Sequence, residues 1–195
     1  MSSTLALQPN VIGVVNAQIA PVTANSSTAY TIGTVLPLPQ LKQLTVTVKS
    51  IEKEAIAGFT LVDSFTIKQA YDVKFENVNI PLDVMAAING ATLLQNGTAP
   101  SQINSVVDAS TDVPILFNLS FDTTMVNNNI AEFAMELFCV KGLLDVQVKA
   151  DDYWICSFTG KAQARQKDGQ FRVISALQTA ETFAVYGADT LSGGY

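Results

Sequence analysis

The chain has 195 residues, with 17 Asp and Glu against 11 Lys and Arg, a net charge of −6 and no histidine. Charged residues make up 14% of it, below the roughly 25% usual in soluble domains, yet no apolar run approaches the ~18 residues of a membrane span. The acidic balance argues against stable nucleic-acid binding, which rests on Lys and Arg, and the missing histidine removes Ser-His and Cys-His pairs and all His-containing metal sites.

In chain order, residues 1–41 carry no charged side chain, the first being Lys42. This run holds Val11, Ile12, Val14, Val15, Ile19, Ile32, Val35 and Leu38, too apolar for a disordered tail. It reads as a segment that becomes covered, or as a Thr/Ser/Asn-rich surface that is simply uncharged. Residues 1–28 are expected to form an uncharged N-terminal arm, 29–183 an antiparallel β-sandwich, and 184–195 a short C-terminal tail. No basic n-region with an unbroken apolar h-region opens the chain, so synthesis in the cytoplasm is expected, with the sequons at Asn25, Asn96 and Asn118 unused. Cys139 and Cys156 are then expected as free buried thiols rather than a disulfide.

Period-two alternation dominates and predicts a mainly β protein. "LTVTVKSI" puts Leu44, Val46 and Val48 on one face, and "IKQAYDVKFE" puts Ile67, Tyr71, Val73 and Phe75 opposite Lys68, Asp72, Lys74 and Glu76. "IPLDVMAAING" predicts one helix over residues 81–89: Pro81 suits the first turn, Asp83 complements the positive dipole end, and Gly90 can adopt the left-handed stop. Leu82, Met85, Ala86 and Asn89 form its expected packed stripe. A second charge-free run extends from Val84 to Val107. "VPILFNLSF" reads as a strand with Pro114 at its start or on an edge. "IAEFAMELFCV" fits both strand and helix spacing, and strand is preferred because the sheet would otherwise lack members. "YWICSFTGKAQARQKDGQFRVISAL" reads as a hairpin turning at Asp168-Gly169. Loops are expected at residues 24–28, 52–58, 96–104 and 127–129.

Little here promises chemistry. No GxxxxGK[ST] or GxSxG occurs. Asp151-Asp152 is the densest acid pair, but neighbours on a strand point to opposite faces, and a solvated turn explains them. Tyr153, Trp154 and Phe158 suggest a sugar-binding platform, against which stands the ordinary reading of Trp154 as core. No catalytic, cofactor or metal residue is assigned, and an enzyme is not expected.

The run "AGFTLVDSFTIKQAYDVKFENVNIPLDVMAAINGATL" resembles the major tail (tail tube) proteins of long-tailed bacteriophages, as do "AYTIGTV", "AEFAMELFCVK" and "FTGKAQARQKDGQFRVI" in order and spacing. Tyr71, Asp72, Val73, Lys74 and Phe75 match the family's strand, and Pro81, Leu82, Asp83, Val84, Met85 and Gly90 its helix and glycine stop. The resemblance covers roughly residues 29–175. It implies a β-sandwich with one helix, assembled as six-membered rings that stack into the hollow tail tube of a virion, of the non-contractile type. The implied partners are further copies of the chain, a tape-measure protein, tail-end proteins, and genomic DNA in transit only, with no membrane.

Stacking needs two different adhesive surfaces. The loop 50–63, with Glu52, Lys53, Glu54, Phe59 and Leu61, and the arm, with Val11, Ile12, Val14, Val15 and Ile19, are the expected contacts. Removal of residues 2–25 is expected to leave a folded subunit that no longer stacks. The alternative is a β-sandwich binding module for carbohydrate or adhesion.

Overall fold

The computed structural model describes residues 11–57, 60–125, 131–148 and 153–176. Phe59, the loop 127–129, Asp151-Asp152 and the C-terminal tail 184–195 lie outside the described residues. In chain order the elements are β1 (Val11–Asn25), β2 (Tyr30–Ile32), β3 (Leu36–Pro37), β4 (Leu41–Ala57), β5 (Thr60–Val78), α1 (Leu82–Asn89), β6 (Thr92–Asn96), β7 (Ile103–Val107), β8 (Phe117–Met125), β9 (Ala131–Gln147), β10 (Ile155–Ala162) and β11 (Arg172–Ala176). The fold is mainly antiparallel β with one helix among the described residues, as expected. The main sheet runs β2-β1-β8-β9-β10-β5-β4, with β11 on β9 and β3 on β1, while β6 and β7 form a separate ladder.

The strands follow from alternation. On β5, Tyr71, Val73 and Phe75 are buried and Lys74 is exposed; on β10, Cys156 and Phe158 are buried beside them. These join Ile19 of β1, Phe117, Leu119 and Phe121 of β8, and Leu137, Val140 and Leu144 of β9 in one core. "IAEFAMELFCV" lies on β9, so tertiary pairing prevails over helix propensity.

The helix stands where expected, and Met85 and Ala86 of the expected stripe are packed, but Leu82 and Asn89 are not. Pro81 holds the N-cap position in extended conformation, and Gly90 ends the helix at φ 71 with its N–H on the Ala86 carbonyl. The buried side chains are Val84, Met85, Ala86 and Ile88, whereas Leu82 remains half-exposed. Asn89 leaves the stripe too: its Oδ1 accepts the Leu144 N–H at 3.4 Å, which ties the helix to β9.

Four further expectations are corrected. Residues 11–25 are not an arm: β1 pairs with β8 from Val11↔Met125 to Pro21↔Phe117, and Ala17, Ile19 and Ala20 are buried. Removing residues 2–25 would therefore excise a core strand. Residues 52–57 are strand rather than loop. The segment around Asp168-Gly169 does not join two mutually paired strands. Both flanks pair with β9, β10 along Val140–Gln147 and β11 along Phe133–Leu137, so residues 163–171 are an excursion between collinear strands. Trp154 is not core: it is 44% exposed.

That excursion closes a second, smaller core on the opposite face of β9. Tyr30, Phe138 and Cys139 pack there with Val22, Ile32, Leu116 and Val173. The Arg165 guanidinium lies 4.0 Å from the Phe138 ring centre and pairs with Asp168. Tyr30 Oη donates to Asn118 Oδ1, and Asn118 Nδ2 donates to Glu136 Oε1 at 2.7 Å. Burial raises the Glu136 carboxyl to about 7, a shift the nearby Arg165 partly opposes. Burial also raises the Cys139 and Cys156 thiols, which are free and fully buried. Asn118 is itself buried, so this sequon is closed to modification in the folded chain.

Candidate assembly interface

β4 and β5 outrun the rest of the sheet. β10 covers β5 only from Tyr71 to Val78, whereas β4 and β5 continue paired out to Ala57↔Thr60. At about 3.3 Å per residue, positions 49–57 make an arm roughly 30 Å long. Residues 49–54 and 63–69 are exposed on both faces. A two-stranded ribbon of this kind is marginal by itself in water, because it has no layer to pack against.

The two faces of the arm differ. In the body, Leu44, Val46 and Val48 sit opposite Phe75, Val73 and Tyr71, facing the core. A bulge between Lys49 and Ser50 then sets Lys49 opposite Ala70 and Ser50 opposite Lys68, leaving Gln69 without a direct partner. An extra residue in one strand inverts the facing of everything beyond it. Ile67 consequently leaves the face of Tyr71, Val73 and Phe75, contrary to the simple alternation, and pairs with Ile51 on the opposite face. Beside them Lys53 pairs with Phe65, and Ile51, Phe65 and Ile67 are 39%, 52% and 51% exposed. The reverse side carries Ser50, Glu52, Glu54, Ser64, Thr66 and Lys68, with Thr66 Oγ1 donating to Glu52 Oε1 at 3.5 Å.

The expected contact residues are thus distributed unevenly. Glu52 and Glu54 share the polar face of the arm, and Lys53 lies on the other face opposite Phe65, with Lys49 and Asp63 on the same side. Leu61 lies on β5 opposite Ile56; its side chain is outside the described residues. Val11, Ile12 and Val15 pair with Met125, Thr124 and Asp122 of β8, with their side chains likewise outside the description. Val14 is half-buried against the core, and Ile19 is fully buried, so it anchors β1 and is closed to any partner. Ile51, Phe65 and Ile67 were missed as a set. The phase break after Val48, where Ser50 takes an apolar turn and Ile51 follows, is the signal that marks them.

Other surfaces offer less. The family-like residues Tyr71, Val73, Phe75 and Met85 are buried, so with Pro81, Leu82 and Gly90 they build the strand–helix joint and are not a surface. Phe158 is 1% exposed and cannot share a sugar platform with Tyr153 and Trp154. Among the described residues no three His, Cys, Asp or Glu side chains gather as a metal site, and no helix is long and apolar enough to cross a membrane.

Fold and surface together define a mainly antiparallel β protein with one helix and a projecting amphipathic arm. No protein-family model matches the chain, and no curated protein does. Among solved structures it is similar to a chain of the sheath–tube complex of an extracellular contractile injection system, PVC, in the extended state, at 13% identity and TM-score 0.40, covering 84% of this chain and 90% of that one. The cap terminating the anti-feeding prophage tube, AFP, aligns at 11% identity and TM-score 0.39, covering 91% and 100%. The PVC sheath/tube terminator aligns at 11% and 0.40, covering 88% and 100%.

Proposed function

We propose that this chain is a structural subunit that assembles head to tail into stacked hexameric rings, forming the tail tube of a non-contractile phage virion. The tube encloses a tape-measure protein during assembly, meets tail-end proteins at its limits and conducts DNA into the host. The observation that carries this reading is the projecting arm: an exposed ribbon with Ile51, Phe65 and Ile67 clustered on one face, attached to a sheet whose last strand has its outer edge unpaired among the described residues. A contact between two unlike surfaces repeats from copy to copy, and it closes into rings or continues as a stack. Pairing with neighbours also removes the sheet edges that an isolated β domain must protect. The motifs around Tyr71–Phe75 and Pro81–Gly90, which resemble tail tube proteins, support the same reading.

The outer face of β9-β10-β5-β4 interleaves Lys141 and Lys161 with Asp72, and Lys74 with Glu76 and Asp145. If that face lines the tube, DNA passes a surface of mixed charge, although six copies at −6 each leave the ring acidic as a whole.

Ser50 and Lys68 are opposite one another, so replacing residues 51–67 with Asn-Gly closes the arm as a two-residue hairpin. The shortened chain is expected to fold and melt like the parent, and to sediment as a single subunit at concentrations where the parent forms large species. Full-length tubes from the shortened chain would remove the arm from the mechanism.

A further inference from the structure

We infer that residues 163–176, the excursion together with β11, form a latch that detaches from β9 when Glu136 loses its proton, while the main sheet stays folded. This is a conformational device within one subunit, and it does not depend on the assembly reading.

The latch is lightly held. Of residues 163–170 only Arg165 is buried; Ala164 is half-buried and the others are exposed. Beyond them β11 pairs with β9 alone among the described residues, and its Ile174 is 49% exposed. Single hydrogen bonds tie the segment to its surroundings. The Gln163 N–H donates to the Cys139 carbonyl at 3.2 Å, the Phe138 N–H to the Phe171 carbonyl at 3.0 Å, and the Gln166 N–H to Asn25 Oδ1 at 2.9 Å. Phe171 and Arg172 also touch the Tyr71 ring. Segments with few buried apolar contacts open before the rest of a fold does.

Beneath the latch the charges do not balance. Glu136 stands opposite Ser120 of β8 on one side and Val173 of the latch on the other. The buried Arg165 directs its donors into its own turn: Nε to Asp168 Oδ1 at 3.2 Å, and Nη2 to Asp168 Oδ2 and, at 2.8 Å, to Gln170 Oε1. Arg165 and Asp168 therefore neutralise each other. Glu136 is left with a neutral donor, Asn118 Nδ2. Ionising it adds an unmatched charge to a site closed from water, and detachment of the latch gives that charge its solvent back. Burial accordingly raises this carboxyl to about 7, with Arg165 opposing the shift. The hold that this proton gives the closed latch is complete below about 4.5 and is lost as pH rises through about 7.

The other titratable groups around Glu136 do not produce this switch. Burial raises Tyr30 of β2 and Cys139 of β9, so both stay neutral up to pH 8. Arg172 of β11 lies over Tyr71, away from this face, and Lys167 is exposed. β1 has no charged residue. Asp122 shares the face of Ser120 on β8 and is raised by burial too, although Asn16 Nδ2 donates to it at 3.1 Å. It stands opposite Ala134, and a variant separates its contribution.

The test is amide hydrogen exchange of the full-length chain, read by mass spectrometry at pH 5 and pH 8 with rates corrected for the intrinsic effect of pH, on samples that sediment alike at both. Protection in residues 163–176 is expected to fall about tenfold or more between the two, while β5 and β10 change by less than about twofold. Glu136→Gln keeps an acceptor for Asn118 and cannot ionise, so it is expected to show the same protection at both pH values. Asp122→Asn is expected to respond as the parent does. Equal parental protection of 163–176 at pH 5 and pH 8, a loss shared by β5 and β10, a response that survives in Glu136→Gln, or one that vanishes in Asp122→Asn would each overturn the inference. Should the Gln variant not fold, the parental comparison of 163–176 with β5 and β10 decides alone.

Discussion

A Gly142→Val chain is expected to lose about 3–5 kcal/mol of stability, on the scale of displacing a core aromatic ring. Gly142 and Gly160 face each other across β9 and β10. The Phe158 ring lies over both, and a Cβ on Gly142 would fall 2.7 Å from Phe158 Cζ and overlap the Thr159 carbonyl oxygen. Phe158 cannot give way cheaply, being stacked on Phe75 at 4.7 Å and edge-on to Phe117 at 5.5 Å. Thermal unfolding should show a drop on the order of 10 °C for a chain of this size. Gly33→Ala is the control, because its Cβ would meet Thr23 Cγ2 at 3.4 Å, an ordinary contact. If Gly142→Val melts within 2 °C of the parent, in units of the same scale, the glycine pair is not what seats Phe158.

The second large effect concerns Glu136. Its carboxyl, raised from 4.5 to about 7, binds its proton more tightly in the folded chain than in the unfolded one. The stabilisation is thus fully present below about 4.5 and is lost as pH rises through about 7, because folding there must bury a charge or release it at a cost. A shift of this size corresponds to on the order of 3 kcal/mol between those limits. Glu136→Gln retains an acceptor for Asn118 Nδ2 and carries no charge, so it should flatten this part of the pH profile and raise stability at pH 8. Denaturant unfolding at pH 5 and pH 8 measures both. A Gln variant less stable than the parent at pH 8 would mean that attraction to Arg165 outweighs the burial of the charge.

Legibility of the fold tracked local regularity. The helix was readable because Pro81, Asp83 and Gly90 mark its limits by local chemistry, and β5 and β9 were readable because their alternation is long. β1 was not. Gly13 at φ 81, Asn16 at φ 50 and two register shifts break its period of two, so it reads as an arm although its later half lies in the core. The facing of Ile67 escaped for a related reason: the bulge at Gln69 is defined by what lies opposite on β4, and one strand alone does not contain it. Residues 163–171 show turn chemistry at Gly169, φ 71, but not that the flanking strands pair with a third strand. The polar half of the candidate surface, Glu52 to Glu54, was visible as a charge cluster. Its apolar half follows only from the bulge.

Self-assembly through the arm is tested most directly by negative-stain electron microscopy of the purified full-length chain across a concentration series, with sedimentation velocity on the same samples. Rings and hollow tubes that lengthen with concentration are the predicted result. A single sedimenting subunit at every concentration, with neither rings nor tubes on the grid, would contradict it.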